Sequence, residues 1–132
     1  MQFTRAPGGK GIDEYVNAKL KYIQTIRHDF GTLFEMMFSE RENIFWEEND
    51  GFNILRTTYG ECSDRIRRRA ATLKKRLQEM HVEQDAVVGL YMDNSRSWIE
   101  IFWCILLCGC RPLLMNLRMS DGMIAGVMEA MQ

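Results

Sequence analysis

Three cysteines lie close together near the carboxyl end of the sequence: Cys104, Cys108 and Cys110. Cys104 and Cys108 are four residues apart, so on a helix they would share one face. A structural zinc site needs four ligands, usually supplied as two closely spaced pairs. The fourth cysteine and both histidines are remote in sequence. We therefore predict buried free thiols and no metal site.

Two other groups of residues have chemically useful types but unsuitable spacing. His28 stands next to Asp29, but neighbouring helical residues point in different directions, which disfavours a catalytic pair. The GGKG sequence at 8–11 contains glycines and a lysine, as phosphate loops do. No strand is predicted before it and no Ser or Thr follows Lys10, so we predict a flexible tail over residues 1–11.

Asp93, Asn94 and Ser95 follow an apolar run of strand length. Open α/β sheets bind ligands beyond the carboxyl ends of their strands, so a ligand role is available to these residues. They are also residue types that cap helices, and capping is the interpretation we favour. The turn has no glycine, which argues against close approach of a pyrophosphate and so against a small nucleotide-binding domain.

The composition indicates one ordinary globular domain: 132 residues, 46% hydrophobic, 27% charged and a net charge of −1. This charge gives no overall bias towards nucleic acid. The apolar stretch over 98–117 is interrupted by Glu100, Arg111 and Pro112, so we predict no membrane span. The amino-terminal residues lack the apolar core of a signal peptide, and we expect a reduced, cytoplasmic protein.

The first half of the chain predicts two helices and a hairpin. Apolar residues at steps of three and four predict an amphipathic helix over 12–30, ended by Gly31. Thr32 has capping-box spacing to Glu35 and would start a second, short helix. Strands are predicted over 43–48 and 53–57, joined by a turn at Asn-Asp-Gly.

The longest predicted helix starts at Thr58, which again has capping-box spacing to Glu61. Its apolar stripe is Tyr59, Cys62, Ile66, Ala70, Leu73, Leu77 and Met80. Its basic face is Arg65, Arg67, Arg68, Arg69, Lys74, Lys75 and Arg76. That face could contact nucleic acid, but it lacks interleaved aromatic residues, so we predict a solvated helix face and no nucleic-acid partner.

The second half predicts a strand over 86–92, an apolar helix over 96–108 and a strand over 112–116. Trp98 and Trp103 would be core residues of that helix. Gly109 fits the left-handed position after a helix, and Ser120 could cap a last helix. Two strands joined by a helix must run parallel, with a right-handed crossover. The fold class is therefore α/β, with a β-hairpin, one βαβ unit and flanking helices.

Two segments resemble the adenylate-forming ligase superfamily, which includes acyl-CoA and aryl-CoA synthetases. TTYGECSDRIRRRAATLKKRL resembles a helix near the amino-terminal end of that family, with Thr58, Tyr59 and Glu61 in matching places. VVGLYMDNSRSWIEIFWCILLCGCRPLLMNLRMS resembles the next segment, with matching residues Asn94, Ser95, Gly109, Pro112 and Asn116. The resemblance covers about residues 32–132. Cys108 and Cys110 depart from it, as do Leu117 and Arg118 where a second proline is common.

The resemblance implies an amino-terminal fragment of an enzyme that joins a carboxylic acid to ATP, releases pyrophosphate and passes the acyl group to a thiol. Residues 12–132 would be an incomplete α/β subdomain. ATP, Mg²⁺ and coenzyme A are expected for the full-length enzyme and no cofactor for this fragment. The family's catalytic, cofactor-binding and metal-binding residues lie further along its chains, so none is assigned here.

The alternative function is a stand-alone, non-catalytic module that associates with itself. One hairpin and two parallel strands are too little sheet to bury the apolar helix over 96–108, because parallel strands need cover on both faces. The expected partners are therefore the remainder of the same enzyme or another copy of the chain.

Overall fold

The computed structural model describes residues 9–25 and 29–131 of the 132-residue chain. Its helices and strands follow in the order α1 (Gly9–Thr25), α2 (Phe30–Met37), β1 (Ile44–Asn49), β2 (Ile54–Thr58), α3 (Tyr59–Glu79), β3 (Val87–Leu90), α4 (Arg96–Leu107), β4 (Arg111–Leu114) and α5 (Asp121–Ala130). β1 and β2 pair antiparallel, and β3 and β4 pair parallel. The predicted mixed α/β class, with one hairpin and one parallel βαβ unit, is confirmed. The chain divides into two compact units, residues 1–63 and 64–132.

The beginning of the first unit differs from the prediction. α1 starts at Gly9, within the predicted tail, and the rest of that tail, residues 1–8, lies outside the described residues. The predicted helix over 12–30 was wrong at its end, because Asp29 is extended (φ −125°, ψ 163°) and caps a new helix. The Asp29 carboxylate accepts a hydrogen bond from the Thr32 N–H at 2.8 Å. Gly31 therefore lies inside α2 and ends no helix, and Thr32 is the third residue of α2 and not its cap.

The hairpin confirms the predicted pair of strands, with both strands and the four-residue loop between them, residues 50–53, shifted by one residue along the chain. Gly51 has φ +95°, where a side chain would strain the backbone. The Asp50 carboxylate accepts hydrogen bonds from the N–H groups of Phe52 and Asn53, at 3.0 and 2.7 Å. These hydrogen bonds lower the pKa of Asp50. Phe45 lies at a bulge in β1, and its ring packs against those of Phe38 and Tyr59, which also contact each other.

α3 begins with the predicted capping box. The Thr58 hydroxyl accepts from the Glu61 N–H at 3.1 Å, and the Glu61 carboxylate accepts from the Thr58 N–H at 3.0 Å. The predicted apolar stripe is buried at Cys62 and Ile66, but Met80 lies beyond the helix and is 69% exposed.

The core of the second unit lies between α4 and the β3–β4 sheet. Leu90, Ile105 and Cys110 are buried together, with Leu73 and Leu77 of α3 packed against them. Ser95 caps α4, Ser120 caps α5, and Gly109 has φ +75°, all as predicted. α4 is only partly enclosed: Trp103, Cys104, Ile105 and Leu106 are buried, but Trp98, Ile99, Ile101 and Phe102 are half-buried.

Candidate functional site

An open cleft of about 300 Å³ lies beyond the carboxyl ends of β3 and β4. It is lined by Met92, Asp93 and Asn94 after β3, and by Met115, Asn116 and Leu117 after β4. The cleft exists because parallel strands bring both of their carboxyl ends to one edge of the sheet. This is the position at which open α/β sheets bind ligands.

Most polar groups around this cleft stabilise its own loops. The Ser95 hydroxyl accepts from the Trp98 N–H at 3.2 Å and so caps α4. The Asn116 side-chain oxygen accepts from the Arg118 N–H at 2.9 Å, and the Tyr91 hydroxyl donates to the Leu117 carbonyl at 2.9 Å. Capping thus accounts for Ser95, whereas the exposed side chains of Asp93 and Asn94 are placed to contact a molecule in the cleft. Such residues can hydrogen-bond a ligand and orient it.

A buried carboxylate with three arginines lies between α3 and α4, and sequence reasoning missed it. Glu100 has no exposed surface. Its carboxylate accepts from Arg65 Nε at 2.9 Å and from Arg69 Nη1 at 2.8 Å, and Arg96 Nε lies 3.4 Å away. Both arginines belong to the helix face that was predicted to be solvated: Arg69 is exposed, as predicted, whereas Arg65 is half-buried, and the guanidinium groups of both bind Glu100. The signal in the sequence was a glutamate on an otherwise apolar helix, four residues after Arg96.

The cysteines are free thiols, as predicted, and three of the four are buried. The Cys104 thiol donates to the Ile66 carbonyl at 3.4 Å, and the Cys108 thiol donates to the Ala70 carbonyl at 3.3 Å. Burial raises the pKa of Cys104 to about 11 and also raises the pKa values of Cys108 and Cys110. Neutral thiols are poor nucleophiles and poor metal ligands. Within residues 9–25 and 29–131, no group of three or more His, Cys, Asp or Glu could hold a metal ion.

The remaining candidates fall into structural positions or outside the described residues. Trp103 is buried, and the half-buried Trp98 stacks on Phe102 with ring centroids 5.6 Å apart. This stacking agrees with the predicted core role. His28 and Gly8 lie outside the described residues, the rest of the GGKG sequence begins α1, and Asp29 caps α2.

A second cavity, of about 240 Å³, lies in the first unit and was not foreseen from the sequence. The Tyr15 hydroxyl donates to Glu40, and Lys19 Nζ lies 3.5 Å from the same carboxylate. Burial and the bond to Glu40 raise the pKa of Tyr15. Burial would lower the pKa of Lys19, but Tyr15 and Glu40 outweigh it and raise that pKa. A protonated lysine and a protonated phenol on one carboxylate tie α1 to the segment after α2.

Comparison of the chain with protein-family models, with curated proteins and with solved structures finds no match. In the part of the chain that the structure describes, no helix is both long and apolar enough to cross a membrane.

Proposed function

We propose that this chain is the amino-terminal scaffold portion of an AMP-forming acyl-CoA or aryl-CoA synthetase. The observation that carries the proposal is the order of local structures along residues 58–114. A capping box at Thr58 and Glu61 opens α3, β3 leads to α4 through the Ser95 cap, and Gly109 with φ +75° leads into β4 at Pro112. These are the residues on which the resemblance to the adenylate-forming family rests.

The proposed parent enzyme joins a carboxylic acid to ATP, with loss of pyrophosphate, and then forms a thioester with coenzyme A. Such a reaction requires groups that hold phosphate and Mg²⁺ and stabilise the charge that develops on them. In the family these groups lie beyond the segment that PLLMN resembles. The chain alone is therefore proposed to be inactive, and the cytoplasm, where ATP and coenzyme A are available, is its proposed location.

The incomplete cover of the second unit supports a scaffold role. A sheet of two parallel strands is smaller than parallel sheets normally are, because such sheets are covered on both faces and extended at their edges. Several large apolar side chains of α4 remain half-buried. Further strands and helices of the same enzyme would bury them.

A second candidate function is a stand-alone module that associates with itself. It is favoured by exposed apolar side chains in the first unit. Val16 and Leu20 on α1 are 45% and 52% exposed, and Phe52 at the tip of the hairpin is 96% exposed. Large apolar side chains at this level of exposure could be covered by a second copy of the chain.

The reading frame in the transcript separates the two candidates. The scaffold proposal predicts that translation continues in frame past the codon for Gln132 into a loop rich in Ser, Thr and Gly that ends in lysine. A stop codon directly after that codon would refute the scaffold proposal and favour the stand-alone module.

A further inference from the structure

The two outer edges of the β3–β4 sheet differ in what they offer to another strand. The Arg111 N–H donates to the Ala86 carbonyl at 2.8 Å, and the Met115 N–H donates to the Leu90 carbonyl at 3.1 Å. In a parallel ladder, alternate residues direct both backbone groups to the partner strand. With Val87 opposite Arg111 and Leu90 opposite Leu114, this register fixes which residues of each strand face outwards.

The outer edge of β4 is protected against further pairing. Its outward residues are Pro112 and Leu114, and proline has no N–H to donate. Arg111 is charged and its side chain is 59% exposed. Proline and charged residues are the features by which natural sheets blunt an edge. β4 therefore has the character of the last strand of a sheet.

The outer edge of β3 has no such protection. Val87 and Gly89 direct their N–H and C=O groups away from β4, by the same alternation. Val87–Leu90 contains no proline and no charge. Among the residues that the structure describes, no strand pairs with this edge. Four backbone groups are thus available to another strand.

Side chains lie against both faces of the sheet next to this edge. Leu90 packs with Ile105 of α4 on one face. On the other face, a Cβ built on Gly89 would lie 2.6 Å from Met115 Cε and 3.5 Å from Met128 Sδ of α5. Because the edge presents a row of backbone N–H and C=O groups, it fits an extended strand better than a helix or a small molecule.

We propose that β3 of a second copy of this chain occupies the edge, antiparallel to the first and related by a two-fold axis at Val88. Val87 of each copy then exchanges both hydrogen bonds with Gly89 of the other copy, giving four between the two chains. The small Gly89 lies opposite the branched Val87. The product is a four-stranded sheet in the order β4, β3, β3, β4, and the proline-bearing strand forms both of its ends.

The choice of a second copy rests on this self-complementarity. A two-fold contact needs one surface that matches itself, and Val87 and Gly89 are placed symmetrically about Val88. Pairing two copies also closes the sheet, because both remaining edges carry Pro112. The inference concerns the 132-residue polypeptide and does not depend on the proposed ligase function.

The test compares two proline variants by sedimentation over a hundredfold range of concentration. Val87→Pro removes a donor at the open edge, and that donor makes no hydrogen bond to β4. Leu114→Pro is the matched control, because it removes an outward donor from the protected edge. We expect a dimer for the unaltered chain and for Leu114→Pro, and association at least about tenfold weaker for Val87→Pro. A monomeric unaltered chain, or a Val87→Pro dimer as tight as the original, would overturn the proposal.

If Val87→Pro does not fold, amide hydrogen exchange on the unaltered chain tests whether a second copy occupies the outer edge of β3. The proposal expects exchange at Val87 and Gly89 to slow as protein concentration rises, while exchange at Leu114 stays constant. Exchange at Val87 and Gly89 that is independent of concentration would reject a second copy as the occupant of this edge.

Discussion

At the scale of single residues, Glu100 joins α3 to α4 through a fully buried carboxylate. A fully buried carboxylate is costly unless cations neutralise it and donors saturate its oxygens. Arg65 and Arg69 do both, at 2.9 and 2.8 Å. Replacing only one partner of such a cluster leaves the others uncompensated, so a single substitution there should destabilise the packing of these helices.

Glu100→Gln should lower the free energy of unfolding by about 3 kcal/mol, because a neutral amide turns an N–H group towards the guanidinium donors. Urea unfolding followed by tryptophan fluorescence measures the change. Glu47→Gln is the control, since the Glu47–Arg56 pair is exposed and should contribute less than about 1 kcal/mol. Equal losses in the two variants would contradict the role assigned to Glu100.

Ionisation of the Cys104 thiol should lower the free energy of unfolding at alkaline pH. Its pKa in the folded chain is about 11, above its ordinary value near 9, so the unfolded thiol ionises first as pH rises. The contribution of this thiol is fully present below pH 9 and is lost as pH rises towards 11. Cys104→Ala should therefore show a shallower decline in unfolding free energy over that interval. Parallel declines in the variant and the original chain would contradict this.

At the scale of helices and strands, local signals predicted the second half of the chain better than the first. Ser95, Gly109 and Ser120 act within one helical turn, so their effects can be read from neighbouring residues. Asp29 was passed over because Thr32 and Glu35 have the same spacing as a capping box. In the Glu100 cluster, Arg69 and Arg65 precede Glu100 by 31 and 35 positions in the sequence. No local pattern encodes pairing over that separation.

Asp29→Ala and Thr32→Ala test which residue caps α2. Asp29→Ala should cost about 1 kcal/mol, because its carboxylate accepts from the Thr32 N–H. Thr32→Ala should cost less than half of that, since its side chain is not in the cap position. Thermal unfolding of the two variants measures the difference. A larger loss for Thr32→Ala would restore the cap that the sequence suggested.

Two glycine substitutions should have opposite signs. Gly109→Ala should destabilise by about 1 kcal/mol, because φ is +75° there. Gly126→Ala should stabilise by about 0.5 to 1 kcal/mol, because Gly126 lies inside α5 and nothing lies within 4 Å of the added Cβ. Chemical denaturation gives both values. Destabilisation by Gly126→Ala would contradict a helical conformation at Gly126.

At the scale of the whole molecule, the α/β class followed from hydrophobic periodicity, but the function did not follow from any side chain. The cleft beyond β3 and β4 is lined by residues 92–94 and 115–117, which the parallel pairing of the two strands brings together. Asp93 and Asn94 were foreseen there as ligand candidates, while Asn116 was noted only through the resemblance. No arrangement of a nucleophile and a base was found around this cleft among the described residues.

We propose that this chain supports adenylate-forming chemistry without performing it. Acid-dependent exchange of labelled pyrophosphate into ATP, with Mg²⁺ present, tests the claim on two polypeptides: residues 1–132 and the product of the whole reading frame. We expect exchange by the whole product and none by residues 1–132. Exchange by residues 1–132, or its absence from a longer folded product, would contradict the proposed scaffold function.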